Sequence, residues 1–223
     1  MFLTKQAHLE HPLPWLQVCG IRHPWAASAA WAHGLTADLH PGLTVITGGD
    51  GAGKTTCLRL LAAECPPSSG TLHLHAEPGK PMAAWPQPEA YRAEVFWCDP
   101  ASDALDHLSG QQYLARHQLA HVRWNDSVVA DLLQAFDLED HLHKPLFGLS
   151  MGMRRKLRLA AALGSGAVLT LLDDPVAALD HASCRLVAEL MQDCAQASHR
   201  LVVATAFDRE TASHLGASQV LAL

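Results

Sequence analysis

Long apolar runs and paired cysteines are both missing from this sequence. No stretch of about 18 apolar residues occurs, which is the length that a helix needs to cross a bilayer, so we expect no membrane span. The first residues do not combine a basic stretch with an unbroken apolar run, so we expect no signal peptide. The six cysteines form no C-x-x-C pair, and a chain of 223 residues does not need disulfides to fold. We therefore expect reduced thiols, a cytoplasmic location, and separate partner subunits for any role at a membrane.

An excess of positive charge is also missing. The chain has 16 Lys and Arg against 22 Asp and Glu, a net charge of -6. Proteins that bind nucleic acid draw affinity from clustered Lys and Arg, and the basic run from Arg154 to Arg158 is too short for this, so we expect no nucleic-acid partner. Fifteen histidines are present, with His117 and His121 at helical spacing, but no third ligand is evident. We interpret them as helix surface.

The order of apolar patterns predicts one α/β domain over residues 1–223, with a helical subdomain at about 100–150. Prolines make residues 76–93 a predicted surface connection without a long helix or a central strand. We predict strands at 15–21, just before 40, and at 43–47, 95–98, 167–172 and 201–205, with helices at 56–64, 153–163 and 181–197 and a helical stretch at 108–142.

A glycine-rich loop stands between a predicted strand and a predicted helix. It reads Gly48-Gly49-Asp50-Gly51-Ala52-Gly53-Lys54-Thr55, followed by Thr56, and matches the Walker A pattern. Glycines let successive backbone N–H groups wrap phosphate oxygens, and the positive end of the helix adds to the attraction. We expect Lys54 to reach the outer phosphates and Thr55 to bind Mg²⁺. The loop therefore predicts nucleotide binding.

A second acidic element supports this prediction. Leu171-Leu172-Asp173-Asp174 ends a continuous apolar run that is typical of a buried parallel strand. An aspartate at the end of such a strand stands in the position of the Walker B residue that binds Mg²⁺. We therefore expect Asp173 beside the metal.

Between these two elements lies Leu149-Ser150-Met151-Gly152-Met153. This segment resembles the signature loop, normally Leu-Ser-Gly-Gly-Gln, of the ATP-binding-cassette (ABC) ATPase family, and it stands about twenty residues before Asp173 as it does in that family. A plain helix N-cap at Ser150 is the alternative reading. The resemblance covers about residues 13–210, because residues 67–71 are similar to the turn after the first helix and residues 177–180 to the D-loop.

The resemblance implies a P-loop core with an N-terminal antiparallel β portion and a helical subdomain. It also implies that Mg-ATP is sandwiched between two ABC ATPase subunits, with Ser150 and Gly152 facing the γ-phosphate held by the opposing subunit. The family drives membrane-spanning transporter subunits from the inner face of the membrane. The leading expectation is thus the ATP-binding subunit of a bacterial-type transporter. The alternative is a cytosolic ABC ATPase or regulatory nucleotide-binding protein without a transport role.

Three positions depart from the family pattern. Asp174 stands where the family has its catalytic glutamate, and Ala206 stands where it has a histidine that contacts the γ-phosphate. Asp99 aligns with the glutamine that senses the metal, and we expect it to contact Mg²⁺. Because Asp174 is one methylene shorter than glutamate, we expect slow hydrolysis. His23 and Trp25 are candidates for stacking on adenine.

Overall fold

The computed structural model describes residues 15–24, 31–197 and 200–223. Its strands are β1 (Trp15–Arg22), β2 (Leu35–Leu39), β3 (Gly42–Thr47), β4 (Ser69–Glu77), β5 (Lys80–Ala83), β6 (Val95–Trp97), β7 (Leu169–Leu172), β8 (Leu201–Ala206) and β9 (Gln219–Ala222). Its helices are α1 (Lys54–Leu61), α2 (Glu89–Ala93), α3 (Gly110–Ala120), α4 (Asp126–Ala135), α5 (Met151–Gly164), α6 (His181–Ala197) and α7 (Arg209–His214). Trp25 lies outside the described residues, so its predicted role has no structural counterpart here.

The strands form two sheets. The first is antiparallel, in the order β2-β1-β4-β5, and the second is parallel, in the order β6-β7-β8-β3-β9. In the parallel sheet β3 pairs with β8 on one side and β9 on the other, so the loop that follows β3 leaves from the interior of the sheet. The ends of β7 and β8 lie at the same edge, because parallel strands share their carboxyl ends.

Two hydrophobic cores flank the parallel sheet, because successive side chains of a strand point to opposite faces. On β8, Leu201 and Val203 belong to the core shared with α1 and the antiparallel sheet. Val202 and Ala204 belong to the core shared with α4, α5 and α6. Helix α1 is therefore held between the two sheets through Cys57, Leu58, Leu60 and Leu61, all about 1% exposed or less.

The segment 76–93 differs from the predicted surface connection. It contains the end of β4, the strand β5 and the helix α2, and Ala84 and Tyr91 are fully buried. Pro81 is tolerated in β5 because this strand pairs only with β4 and lies at the edge of its sheet. The Tyr91 hydroxyl donates to the Leu61 carbonyl at 2.6 Å, which ties α2 to the end of α1.

The interpretation of His117 and His121 as helix surface is wrong. His121 is only 8% exposed, and the His117 ring lies 4.9 Å from Phe96 and 4.5 Å from Tyr113 between ring centroids. The two imidazoles are stacked on each other at 6.1 Å. Their aromatic surfaces fill the space between α3 and β6, which helical spacing alone does not reveal.

Candidate functional site

The loop between β3 and α1 has the backbone shape that its glycines predict. Gly53 is the N-cap of α1 and has a left-handed φ of 89°, which a side chain disfavours. At Gly48 a Cβ atom would lie 2.8 Å from the Ala52 Cβ and 3.1 Å from the carbonyl oxygen of Leu223, so there is no room for one. Close approach at one end of the loop and a positive φ at the other therefore both require glycine.

Lys54 is the first residue of α1, and its ammonium lies over the loop. Its Nζ donates to the carbonyl oxygens of Gly48 at 2.6 Å and Gly49 at 3.0 Å. These bonds anchor the charge above the loop that Gly49, Asp50, Gly51 and Ala52 form. The positive end of α1 and the Lys54 ammonium therefore act on the same small volume, which suits an anion.

Thr55 and Asp173 meet at the edge of the parallel sheet. The Thr55 hydroxyl donates to Asp173 Oδ2 at 2.7 Å, across 118 residues of sequence. On the other side Thr205, in β8, donates to Asp173 Oδ1 at 2.6 Å. A hydroxyl beside a carboxylate is a set of hard oxygen donors, which are the ligands that Mg²⁺ prefers. The residues predicted to hold the metal from the P-loop and from the end of β7 therefore fit it.

Asp174 follows in an unusual backbone conformation, with a φ of 46°. Its N–H donates to the Thr205 hydroxyl at 2.8 Å. The Arg155 Nη1 donates to the carbonyl oxygen of Asp173 at 3.2 Å and also to that of Asp174. Burial raises the pKa of the Asp174 carboxyl, and the neighbouring Arg155 acts in the opposite direction. The backbone N–H of Asp174 is thus held by Thr205 and its carbonyl by Arg155.

These side chains line one cavity of about 250 Å³. The structure brings the predicted residues Asp50, Lys54, Thr55, Asp173 and Asp174 together there. Its remaining lining is Pro100, Arg155, Thr205, Ala206 and Phe207. A larger cavity, of about 690 Å³, lies at the amino ends of β7 and β8 and is lined by none of the predicted site residues.

The signature segment lies at the start of α5. Ser150 is the N-cap of this helix, and its hydroxyl accepts the Met153 N–H at 3.2 Å. This capping role is compatible with an additional role in nucleotide binding. Met151 is 73% exposed. At Gly152 a Cβ atom would lie 3.1 Å from the carbonyl oxygen of Ala178, in the segment that resembles the D-loop. The first turn of α5 is therefore open to a partner and close to the residues after β7.

Asp99 is not brought to this cavity. Its carboxylate accepts Arg59 Nη2 at 2.5 Å, an ion pair with α1, and its Oδ1 accepts the Ala101 N–H at 2.9 Å. Among the described residues that line the cavity, its neighbour Pro100 is present and Asp99 is absent. The charge of Asp99 is thus already balanced by Arg59.

Sequence reasoning overlooked three residues of the site. Thr205 joins Asp173 to Asp174, Arg155 contacts both carbonyls, and the Trp31 indole Nε1 donates to the Ala52 carbonyl of the loop at 3.2 Å. A signal for Thr205 was present, because it is the polar residue next to the end of a buried strand and next to the position of the missing histidine. Arg155 was visible only as part of a basic run, and nothing in the sequence singles out Trp31.

A family model described as "ABC transporter" matches residues 32–177, which include the loop, the signature segment and Asp173. This chain belongs to the ABC transporter family. It is 34% identical to the "Cytochrome c biogenesis ATP-binding export protein CcmA" of Cupriavidus necator, over 86% of this chain and 83% of that protein. It is also 33% identical to the "ATP-binding cassette sub-family A member 17" of Rattus norvegicus, over 82% of this chain. The chain spans only 10% of the length of that relative.

Solved structures of ABC proteins share the fold. One titled "Structure of ATP binding subunit of ABC transporter" superposes with a TM-score of 0.79 at 19% identity, over 93% of this chain and 85% of that one. Another, titled "Structure of a bacterial Atm1-family ABC exporter with ATP bound", has a TM-score of 0.75 at 20% identity. The predicted α/β fold of ABC type is thereby confirmed. In the described part of the chain, no helix is long and apolar enough to cross a bilayer.

Proposed function

We propose that this chain is the ATP-binding subunit of an ABC transporter and binds Mg-ATP in the cavity beside Lys54. The observation that carries the proposal is the hydrogen bond between Thr55 and Asp173, which joins the phosphate loop to the end of β7. Membership of the ABC transporter family supports it. Binding of Mg-ATP then accounts for the phosphate loop, for the metal-binding oxygens and for the signature segment.

Different residues of the site bind the phosphates and the Mg²⁺ of Mg-ATP. The N–H groups of residues 48–56 and the Lys54 ammonium hold the phosphates, aided by the dipole of α1. Thr55 and Asp173 hold Mg²⁺, which when bound neutralises charge on the outer phosphates. We assign Asp99 to Arg59 rather than to the metal, because that ion pair occupies its carboxylate.

The signature segment requires a second copy or a related subunit. Ser150 and Gly152 stand at the exposed start of α5, and we propose that they face the nucleotide held by the opposing subunit. Closure of such a pair around ATP drives membrane-spanning partner subunits, and this chain then lies at the inner face of the membrane. The names of its relatives, which include an export protein and an ATP-binding/permease protein, support such partners.

We propose that hydrolysis is slow. Asp174 has a shorter side chain than glutamate, and its backbone is held in place by Thr205 and Arg155, so it cannot easily shift toward an attacking water. Ala206 lines the same cavity but has no side-chain donor for a phosphate. Both features lower the rate without weakening the phosphate loop.

Binding and turnover of ATP by the purified protein test the proposal. We expect Lys54→Ala to abolish ATP binding in calorimetry, since it removes the charge above the loop. We expect Asp174→Glu to raise turnover about tenfold or more, because a well-placed general base contributes about 10²- to 10⁴-fold.

If Lys54→Ala binds ATP with the wild-type affinity, the proposed nucleotide site beside Lys54 is wrong. Turnover that stays the same or falls in Asp174→Glu would contradict the slow-base explanation. If the protein binds ATP but no membrane subunit co-purifies with it from detergent extracts, the alternative without a transport role is favoured.

A further inference from the structure

The cavity beside Lys54 contains a second cation from a different part of the chain. Arg155 lies in the second turn of α5, two residues after the signature segment, and lines the cavity together with Lys54. Its Nη1 donates to the carbonyls of Asp173 and Asp174, so the guanidinium is at the end of the cavity where the metal-binding carboxylate lies. The outer phosphates belong at that end, because Lys54 and Asp173 both act on them.

Arg155 differs from the other cations of its helix. Arg154 and Arg158 pair with Asp106, and Lys156 lies 3.8 Å from Asp180. Among the described residues, Arg155 alone in this basic run has no carboxylate within ion-pair distance. The hydrogen bonds of its side chain are made by Nη1 to neutral carbonyls, and the carboxylates of Asp174 and Asp173 act on its charge without forming an ion pair.

The position of this charge is energetically unfavourable without an anion. Burial lowers the pKa of Arg155, although a guanidinium remains protonated in proteins. An anion in the cavity would offset this cost of burial.

The lining of the cavity carries more negative than positive charge. Three carboxylates line it, those of Asp50, Asp173 and Asp174, against Lys54 and Arg155. Ala206 supplies no donor at the edge formed by β8. Without Arg155, Lys54 and the bound Mg²⁺ would be the cations that face these three carboxylates and the phosphates.

We propose that Arg155 is a phosphate-binding residue whose guanidinium contacts the terminal phosphate of ATP bound to the same chain, in place of the contact that Ala206 cannot make. This inference rests on the proposed function. Arginine suits the role because its planar fork presents several N–H groups in fixed directions. The Nη1 bonds to the two carbonyls orient that plane, and Nη2 and Nε remain to donate to phosphate oxygens.

The test compares the affinities for ATP and for ADP by calorimetry in the presence of Mg²⁺. Only ATP has the terminal phosphate, so we expect Arg155→Gln to weaken ATP binding about 10- to 100-fold, as for loss of a charge-assisted hydrogen bond, and to leave ADP binding within about twofold. Arg155→Lys retains the charge and one donor to the carbonyls but loses the fork, so we expect about a threefold or greater loss of the ATP preference.

The matched control is Arg158→Gln on the same helix. Arg158 donates to the carbonyls of Pro100 and Ser102 and to Asp106. It does not line the Lys54 cavity, so we expect a lower melting temperature with an unchanged ratio of ATP to ADP affinity.

Equal weakening of ATP and ADP in Arg155→Gln would overturn the proposal and leave Arg155 as a backbone anchor only. If Arg155→Gln does not fold, a wild-type ATP preference in Arg155→Lys overturns it instead. The proposed function fails separately, when the wild-type protein binds neither nucleotide or when binding survives in Lys54→Ala.

Discussion

Thr205 shows how one side chain organises this site. Its hydroxyl donates to Asp173 Oδ1 at 2.6 Å and accepts the Asp174 N–H at 2.8 Å, and it is 1% exposed. It thereby sets the direction of the carboxylate that we assign to Mg²⁺ and the backbone of the residue that we assign as base. A threonine is enough for this because a hydroxyl is both donor and acceptor.

We predict that Thr205→Val weakens binding of Mg-ATP about tenfold. Valine has nearly the same shape but leaves the half-buried Asp174 N–H without its acceptor, at a cost of about 1 kcal/mol, and releases the Asp173 carboxylate. Calorimetry with Mg-ATP and with ATP in EDTA measures the change, which should be larger with the metal present.

The matched control is Thr44→Val. Thr44 is also buried in a strand of the same sheet, and its hydroxyl bonds to Gln219 at 3.3 Å, away from the cavity. We expect lower stability and unchanged nucleotide affinity. Equal effects of the two variants on Mg-ATP affinity would show that Thr205 acts through general stability.

At the scale of elements, α5 connects the site to the helical layer. Ser150 caps its start, Arg155 lies in its second turn, and its last residue, Gly164, packs against α4. A Cβ atom at Gly164 would lie 2.2 Å from the Val129 Cγ2. The two helices therefore approach closely only because position 164 has no side chain.

We predict that Gly164→Ala lowers the free energy of unfolding by about 2 kcal/mol, the usual cost of an extra methyl group in a packed core. In a protein of this size that corresponds to a fall of about 4–8 °C in melting temperature, measured by calorimetry. The double variant Gly164→Ala, Val129→Ala should recover part of the loss, because the pair is in contact.

Gly148→Ala is the control for this substitution. Its nearest atom to an added Cβ is the Pro145 Cγ at 3.7 Å, an ordinary contact. We expect a change within about 0.5 kcal/mol. A loss as large as that of Gly164→Ala would mean that the close approach of α4 to α5 is not the cause.

At the scale of the whole molecule, pH acts on stability through His117. Burial lowers the pKa of His117 to about 4 from its ordinary 6.5, so the folded protein holds the imidazole neutral. Between pH 6.5 and 4 the unfolded chain binds more protons than the folded one, and stability therefore rises with pH across this window. Acidification from pH 6.5 to pH 4 therefore lowers the free energy of unfolding, because protonation of His117 favours the unfolded chain.

We predict that His117→Phe reduces the loss of stability between pH 7 and pH 4.5 by about 1–2 kcal/mol, allowing for the partial exposure of the ring. Phenylalanine retains the contacts with Phe96 and Tyr113 but does not titrate. Urea unfolding at the two pH values measures the effect. The control is His107→Gln, at an exposed position, which should keep the wild-type pH dependence of stability. If His117→Phe also keeps the wild-type pH dependence, burial of the His117 ring is not its cause.

The glycine-rich loop, the acidic pair after β7 and the type of fold could be predicted from the sequence. These are local patterns, because a glycine loop between a strand and a helix and a run of apolar residues are readable without knowing any partner. Strands β5 and β9 escaped prediction, since each has four residues and lies at a sheet edge. Strand β4 also escaped prediction, because it depends on pairing with β1, a distant strand. The division into one domain with a helical subdomain at about 100–150 stays a prediction.

The contacts between charged residues could not be predicted from the sequence. Asp99 pairs with Arg59, and Arg155 reaches the backbone of Asp173 and Asp174, across separations of 40, 18 and 19 residues. Spacing along the chain has no bearing on such contacts, because they follow from the order of strands in the parallel sheet and from the packing of α5 against it. The roles of individual charged residues therefore became visible only when the sheet order and the helix packing were known.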